Sequence, residues 1–139
     1  MKEQTLCVIK PNAVKDNNIG AIIKMIEDEG LIVKGLKMTE LSDKKVSAFY
    51  EEHVGKPFFD GLKEFMTSGK VVGIVLEGED AISRLRRVMG ATNPEKADDG
   101  TIRKLFAANM TENAVHGSDS PQSAKREIAF YFDNFSILD

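Results

Sequence analysis

Apolar residues along this chain recur in runs whose spacing predicts alternating strands and helices. Thr5 to Lys10 reads as a first strand stopped by Pro11, and Ile19, Ile22, Ile23 and Ile26 fall at helical spacing in a segment from Ile19 to Glu29 that Gly30 ends. Leu31 to Leu41 alternates apolar and polar positions, as a second strand does. Two short helices follow, about Asp43 to Glu52 and Phe59 to Thr67, with Ser42 placed to cap the first and Lys56-Pro57 breaking the chain between them. Val71 to Leu76 is almost wholly apolar and has the bulk and length of a buried strand, after which Glu79 to Met89 reads as a helix. Gly90 to Gly100 carries Pro94 and two consecutive aspartates and predicts a long ordered loop. A helical turn near Thr101 to Ala107, a short strand near Asn113 to His116 and a last helix from Pro121 to Phe132 complete the pattern.

That order suits an α+β chain, an α/β sandwich built on a four-stranded antiparallel sheet of the ferredoxin-like, split βαβ kind, with helices packed on one face. At 139 residues a single domain spanning 1–139 is expected, and it can bury a core without disulfides or metal staples. Apolar residues at 42% and charged residues at 29% exclude disordered and fibrous classes. No run approaches the roughly 20 apolar residues of a membrane span, and the N-terminus lacks the shape of a secretory signal, so a cytoplasmic protein without a membrane role is expected. The single Cys7 lies inside an apolar run and reads as packing. A net charge of −3 disfavours nucleic acid as a partner, because that attraction rests on a clustered positive surface. Any anion site must be local, and Lys10, the Arg84, Arg86 and Arg87 group and Arg103 are either its cations or simply solvated surface.

The chain holds two histidines, the residue type best suited to nucleophilic or base chemistry near neutral pH. His53 stands in a charged helical stretch, Glu51-Glu52-His53, and reads as a surface residue. His116 ends an apolar segment and precedes Gly117-Ser118-Asp119-Ser120-Pro121, which puts an imidazole where a strand turns into a helix. Ser120 suits the N-cap and Pro121 the first helical position, so free backbone N–H groups lie near the ring, and helix starts attract phosphate. A histidine at a strand end can equally be structural. Glu127 lies on or beside the core-facing stripe of the last helix and needs a partner, either a lysine or arginine in an ordinary salt bridge or the ring of His116, which it would orient.

Read whole, Asn113-Ala114-Val115-His116-Gly117-Ser118-Asp119-Ser120 resembles the active-site signature of the nucleoside diphosphate kinases. Thr5 to Val14, Tyr50 with Lys56-Pro57-Phe58-Phe59, Arg86 with Gly90-Ala91-Thr92-Asn93-Pro94, and Gly100-Thr101-Ile102-Arg103 are similar to that family too, in the same order. The resemblance implies that His116 takes the γ-phosphate of a triphosphate on Nδ1 and passes it to a diphosphate, oriented by Glu127 with Ser118 alongside. It implies that Arg86, Thr92 and Arg103 hold the phosphate chain and that Lys10 and Asn113 lie near the sugar hydroxyls and the moving phosphate. Phe58 matches the aromatic residue on which the base stacks, with Leu62 and Met110 near it, and Tyr50 matches an active-site tyrosine beside the lysine. Magnesium (Mg2+) is implied as cofactor, held by substrate and water rather than by a protein cage, and a homo-oligomer, tetramer or hexamer, is implied as the assembly. Two positions depart from the family pattern: Asn12, where aspartate is common, and Met110, where valine is frequent. The enzyme reading competes with a phosphocarrier whose His116 serves a protein acceptor and with a ferredoxin-like binding module; the base-stacking and phosphate-holding positions favour the enzyme, with nucleoside di- and triphosphates as partners.

Overall fold

The computed structural model describes residues 2–132. Four strands form one antiparallel sheet: β1 (Lys2–Ile9), β2 (Ile32–Glu40), β3 (Lys70–Glu79) and β4 (Val115–Gly117), in the order β2-β3-β1-β4. β1 pairs with β3 from Lys2 opposite Glu79 to Ile9 opposite Val72, and on its other side with β4 from Cys7 opposite Gly117 to Ile9 opposite Val115. Helices α1 (Pro11–Lys15), α2 (Ile19–Asp28), α3 (Asp43–Phe49), α4 (Phe59–Met66), α5 (Ala81–Met89), α6 (Ile102–Phe106) and α7 (Pro121–Tyr131) cover the sheet.

They cover both faces, not the one face expected from the element order. Successive strand residues point to opposite sides. Leu6 and Val8 of β1 join Val71 and Val75 of β3 under α3, α4 and α7, whereas Cys7 and Ile9 join Ile74 and Leu76 under α2 and α5. The unbroken apolar runs in β1 and β3 are the reason, since a strand buried on both faces has no polar alternation to keep. Gly73 serves the first of these faces: a Cβ there would lie 2.9 Å from the ring of Tyr131, so the glycine lets α7 settle close to the sheet. β2 is an edge strand, and its Leu36 and Met38 stay 57% and 50% exposed.

Local boundaries differ from the sequence reading where caps and backbone geometry intervene. Pro11 does more than stop β1, because it is the first residue of α1, where its missing N–H costs nothing. β3 runs on through Glu79, and Asp80 at φ 50° turns the chain before α5 starts at Ala81. α3 ends at Phe49, and Glu51–His53 form a separate 3-10 turn. Ser42 and Ser120 cap as expected, accepting from the backbone N–H of Lys45 and Ser123.

Candidate active site

His116 occupies the middle of β4, opposite Val8, so the strand runs one residue beyond the expected end at His116. Its Nε2 lies 2.8 Å from Oε1 of Glu127 on α7. The Ser118 hydroxyl accepts from the backbone N–H of Leu6 at 3.4 Å and donates to the same Glu127 oxygen at 2.8 Å. A carboxylate only accepts, so Nε2 carries a proton, and the lone pair of the ring's neutral form is the one on Nδ1. Of the two partners open to Glu127, the imidazole is the one it meets. Phe49 and Tyr50, at the end of α3, make T-shaped ring contacts with the imidazole at 5.3 and 6.1 Å between centroids.

In front of the imidazole opens a cleft of about 360 Å³. Lys10, Tyr50, Phe58, Leu62, Arg86, Thr92, Arg103, Met110, Asn113, His116 and Glu127 all line it; Ser118 is buried behind, beneath Glu127. Segments distant in sequence meet here because the backbone N–H of Lys10, at the end of β1, donates to the carbonyl of Ala114 at 2.8 Å. Asn12 donates from Nδ2 to the carbonyl of Glu112 at 3.1 Å, a bond that an ionised aspartate could not make. Phe58 and Met110 stand exposed at the rim with the buried Leu62 near them. Asn113 is buried and donates to the carbonyl of Met110 at 3.1 Å.

The electrostatics of the cleft are those of an anion site. Lys10 is 6% and Arg103 7% exposed. Arg103 donates to the carbonyls of Gly90 at 3.1 Å and Val115 at 2.9 Å, and Arg86 to that of Gly117 at 3.2 Å. Among the described residues no carboxylate forms an ion pair with Lys10, Arg86 or Arg103. Burial, and then the neighbouring Arg103, pull the Lys10 ammonium down to about 7, and burial followed by Arg86 lowers Arg103 to about 10. Buried cations that repel one another are relieved by a bound anion. Burial first, then Tyr131 and Glu127, raise the Tyr50 phenol, which therefore keeps its proton; its Oη has no hydrogen-bond partner among the described residues.

His53 is not the surface residue its charged neighbours suggest. It lines the cleft, its ring 5.2 Å from that of Phe58 and 6.1 Å from that of Tyr50, with which it stacks. Phe49 was likewise missed, since only the fold brings the end of α3 to the imidazole. Among the described residues no three His, Cys, Asp or Glu side chains gather as a metal cage, and Glu52, Asp119 and Glu127 are the carboxylates lining the cleft.

Known proteins similar to this chain in shape and sequence are of one kind. The family model "Nucleoside diphosphate kinase" matches residues 3–137. A nucleoside diphosphate kinase of Actinobacillus pleuropneumoniae serotype 3 is 54% identical over 138 residues, covering 99% of this chain and all of that protein. One from Persephonella marina is 50% identical over 137 residues, covering 99% and 98%. Among solved structures, the Aquifex aeolicus nucleoside diphosphate kinase superimposes with a TM-score of 0.96 at 42% identity, covering 99% of this chain and 100% of that one. A halophilic nucleoside diphosphate kinase from Halobacterium salinarum, solved in complex with CDP, gives a TM-score of 0.96 at 39% identity, covering 100% and 93%.

Proposed function

The chain belongs to the nucleoside diphosphate kinase family, phosphotransferases that pass the γ-phosphate of a nucleoside triphosphate to a nucleoside diphosphate through a phosphohistidine, and from this premise we propose that His116 is the residue that carries the phosphate. The observation that supports it is the hydrogen bond from Nε2 to Glu127, which leaves Nδ1 as the nucleophilic nitrogen of a ring that lines a cleft rich in cations.

In the first half-reaction the Nδ1 lone pair forms a bond to the γ-phosphorus as the bond from that phosphorus to the β,γ-bridging oxygen breaks, and the diphosphate leaves with the bonding pair. Glu127 steadies the positive charge that develops on the imidazole. Arg86, Arg103, Lys10 and Thr92 spread over the phosphate oxygens, where a loose transition state needs positive potential. The donor diphosphate departs, an acceptor diphosphate enters the same cleft, and its terminal oxygen takes the phosphoryl group, restoring the neutral ring. Tyr50 and Asn113 offer donors to the sugar or the moving phosphate. Phe58 gives the base a stacking face with Met110 and Leu62 beside it, which selects little among bases because every base has a flat face. The CDP seen in the halophilic relative supports a nucleotide-sized site here.

The residues fit a magnesium ion that would arrive with the nucleotide and add positive charge at its phosphates, with Asp119, which lines the cleft, placed to accept hydrogen bonds from the ion's water shell. No helix among the described residues is long and apolar enough to cross a membrane, and the cytoplasm, where nucleotides are pooled, is the assigned setting. The assembly we assign is a homo-oligomer, tetramer or hexamer. It is supported by the edge of β2, unpaired among the described residues, where Val33, Leu36 and Met38, opposite Leu76, Ile74 and Val72, share one sheet face. A second copy can continue the sheet there by antiparallel pairing about a two-fold axis.

The test is incubation with ATP labelled at the γ-phosphate and no acceptor. Acid-labile, alkali-stable label on His116 is expected, chased into GTP by added GDP; nucleotide exchange that survives His116→Ala overturns the assignment.

A further inference from the structure

Arg126 precedes Glu127 on α7, and adjacent helical positions diverge by about 100°. Glu127 therefore reaches β4 and the imidazole, while Arg126 reaches the end of α3. Its Nη2 donates to the carbonyl of Ala48 at 2.6 Å and to that of Phe49 at 3.2 Å, and its Nη1 donates to Phe49 at 3.2 Å. Those carbonyls close α3 and lack helical partners of their own, so the guanidinium acts as a cap supplied from another helix. The residues so held, Phe49 and Tyr50, are the two whose rings make T-shaped contacts with His116.

We propose that Arg126 is a positioning residue for phosphoryl transfer, clasping the end of α3 to the helix that carries Glu127 so that the His116 ring is held between the carboxylate and the Phe49 and Tyr50 rings. The fork matters more than the charge. Arg126 also lies 3.4 Å from Glu51, but both side chains are well exposed and such a pair contributes little. Two or three charge-assisted bonds to carbonyls in fixed directions are what set the distance between two helices, and lysine, a point charge on a flexible stem, cannot reproduce them. Phe49 additionally packs on Phe130 and Tyr131 of α7, so loss of the clasp loosens the junction without dissolving it.

The inference rests on His116 as the phosphate carrier. The experiment measures the single-turnover rate of His116 labelling from γ-labelled ATP, with ADP affinity measured separately, for Arg126→Met and Arg126→Lys, and for Arg126→Met combined with Glu127→Gln. Arg126→Met is expected to slow labelling about tenfold with ADP affinity within about twofold, since small misplacements of a reacting group are costly. Arg126→Lys should recover part of that rate, and Glu51→Gln should label like the parent. Where Glu127→Gln has already severed the carboxylate from its role, adding Arg126→Met should cost less than about twofold more, because residues acting through one another are not additive. Labelling at the parent rate by both Arg126 variants overturns the proposal, as does an equal loss in both backgrounds or a fall in ADP affinity matching the fall in rate. If Arg126→Met does not fold, Arg126→Lys decides alone, and parent-like labelling by it counts against the clasp. A parent protein that takes no label on His116 removes the carrier assignment itself; a parent that labels beside an Arg126→Met variant that labels as fast removes only the clasp.

Discussion

An ammonium almost shut off from water holds its proton poorly, and Lys10, pulled to about 7 by burial and then by Arg103, changes charge within the working range of a neutral-pH enzyme. The sign follows from its proposed place beside the phosphate: only the protonated form attracts the anion, and a bound anion in turn holds the proton. At pH 8 the free protein carries Lys10 largely neutral, so binding ADP should draw a proton from the buffer. Calorimetry in buffers of different ionisation enthalpy should find net uptake that disappears in Lys10→Met; identical heats in all buffers would remove Lys10 from the phosphate site. Much at this scale was legible in the sequence, because the residues around His116 are contiguous and Glu127 stands a helix away. His53 was not. Its chain neighbours are the acidic Glu51 and Glu52, whereas its neighbours in space, Tyr50 and Phe58, declare themselves only once the 3-10 turn folds it toward the cleft.

α7 shows how an element places a single side chain. Ser120 accepts from the N–H of Ser123 and Pro121 starts the first turn, so the helix begins at a fixed point after β4, and Glu127 follows about two turns later. Ser120→Ala should lower unfolding free energy by about 1 kcal/mol in a denaturant titration. It should also slow transfer by shifting the register of Glu127. Stability unchanged within error would mean that packing of Ala124, Ile128 and Tyr131 alone sets the helix. Helices with a clear apolar stripe, such as α2 and α5, were readable from periodicity, as were the caps at Ser42 and Ser120. α1 was not, since five residues beginning with proline carry no periodic signal. Nor was the layering: element order is compatible with helices on one or two faces, and only the way Leu6 and Cys7 enter different clusters decides it.

At the scale of the whole molecule, the two sheet edges have different fates. β4 is three residues long and carries the imidazole, while β2 is nine residues long and exposes Leu36 and Met38. A long apolar edge invites pairing. Leu36→Lys combined with Met38→Lys is expected to convert the proposed oligomer to smaller species in light scattering; a parent that is monomeric at micromolar concentration would refute the oligomer outright. The crowding of Lys10, Arg86 and Arg103, none of which pairs with a carboxylate among the described residues, has a consequence for durability. A ligand that binds only the folded chain adds to its stability, by about 2.7 kcal/mol when present at a hundred times its dissociation constant. ADP should therefore raise the melting temperature, and added salt should erode the gain, whereas adenosine, lacking phosphate, should do far less. The protein's resistance to unfolding, and with it its lifetime, is then tied to the abundance of the molecules it processes.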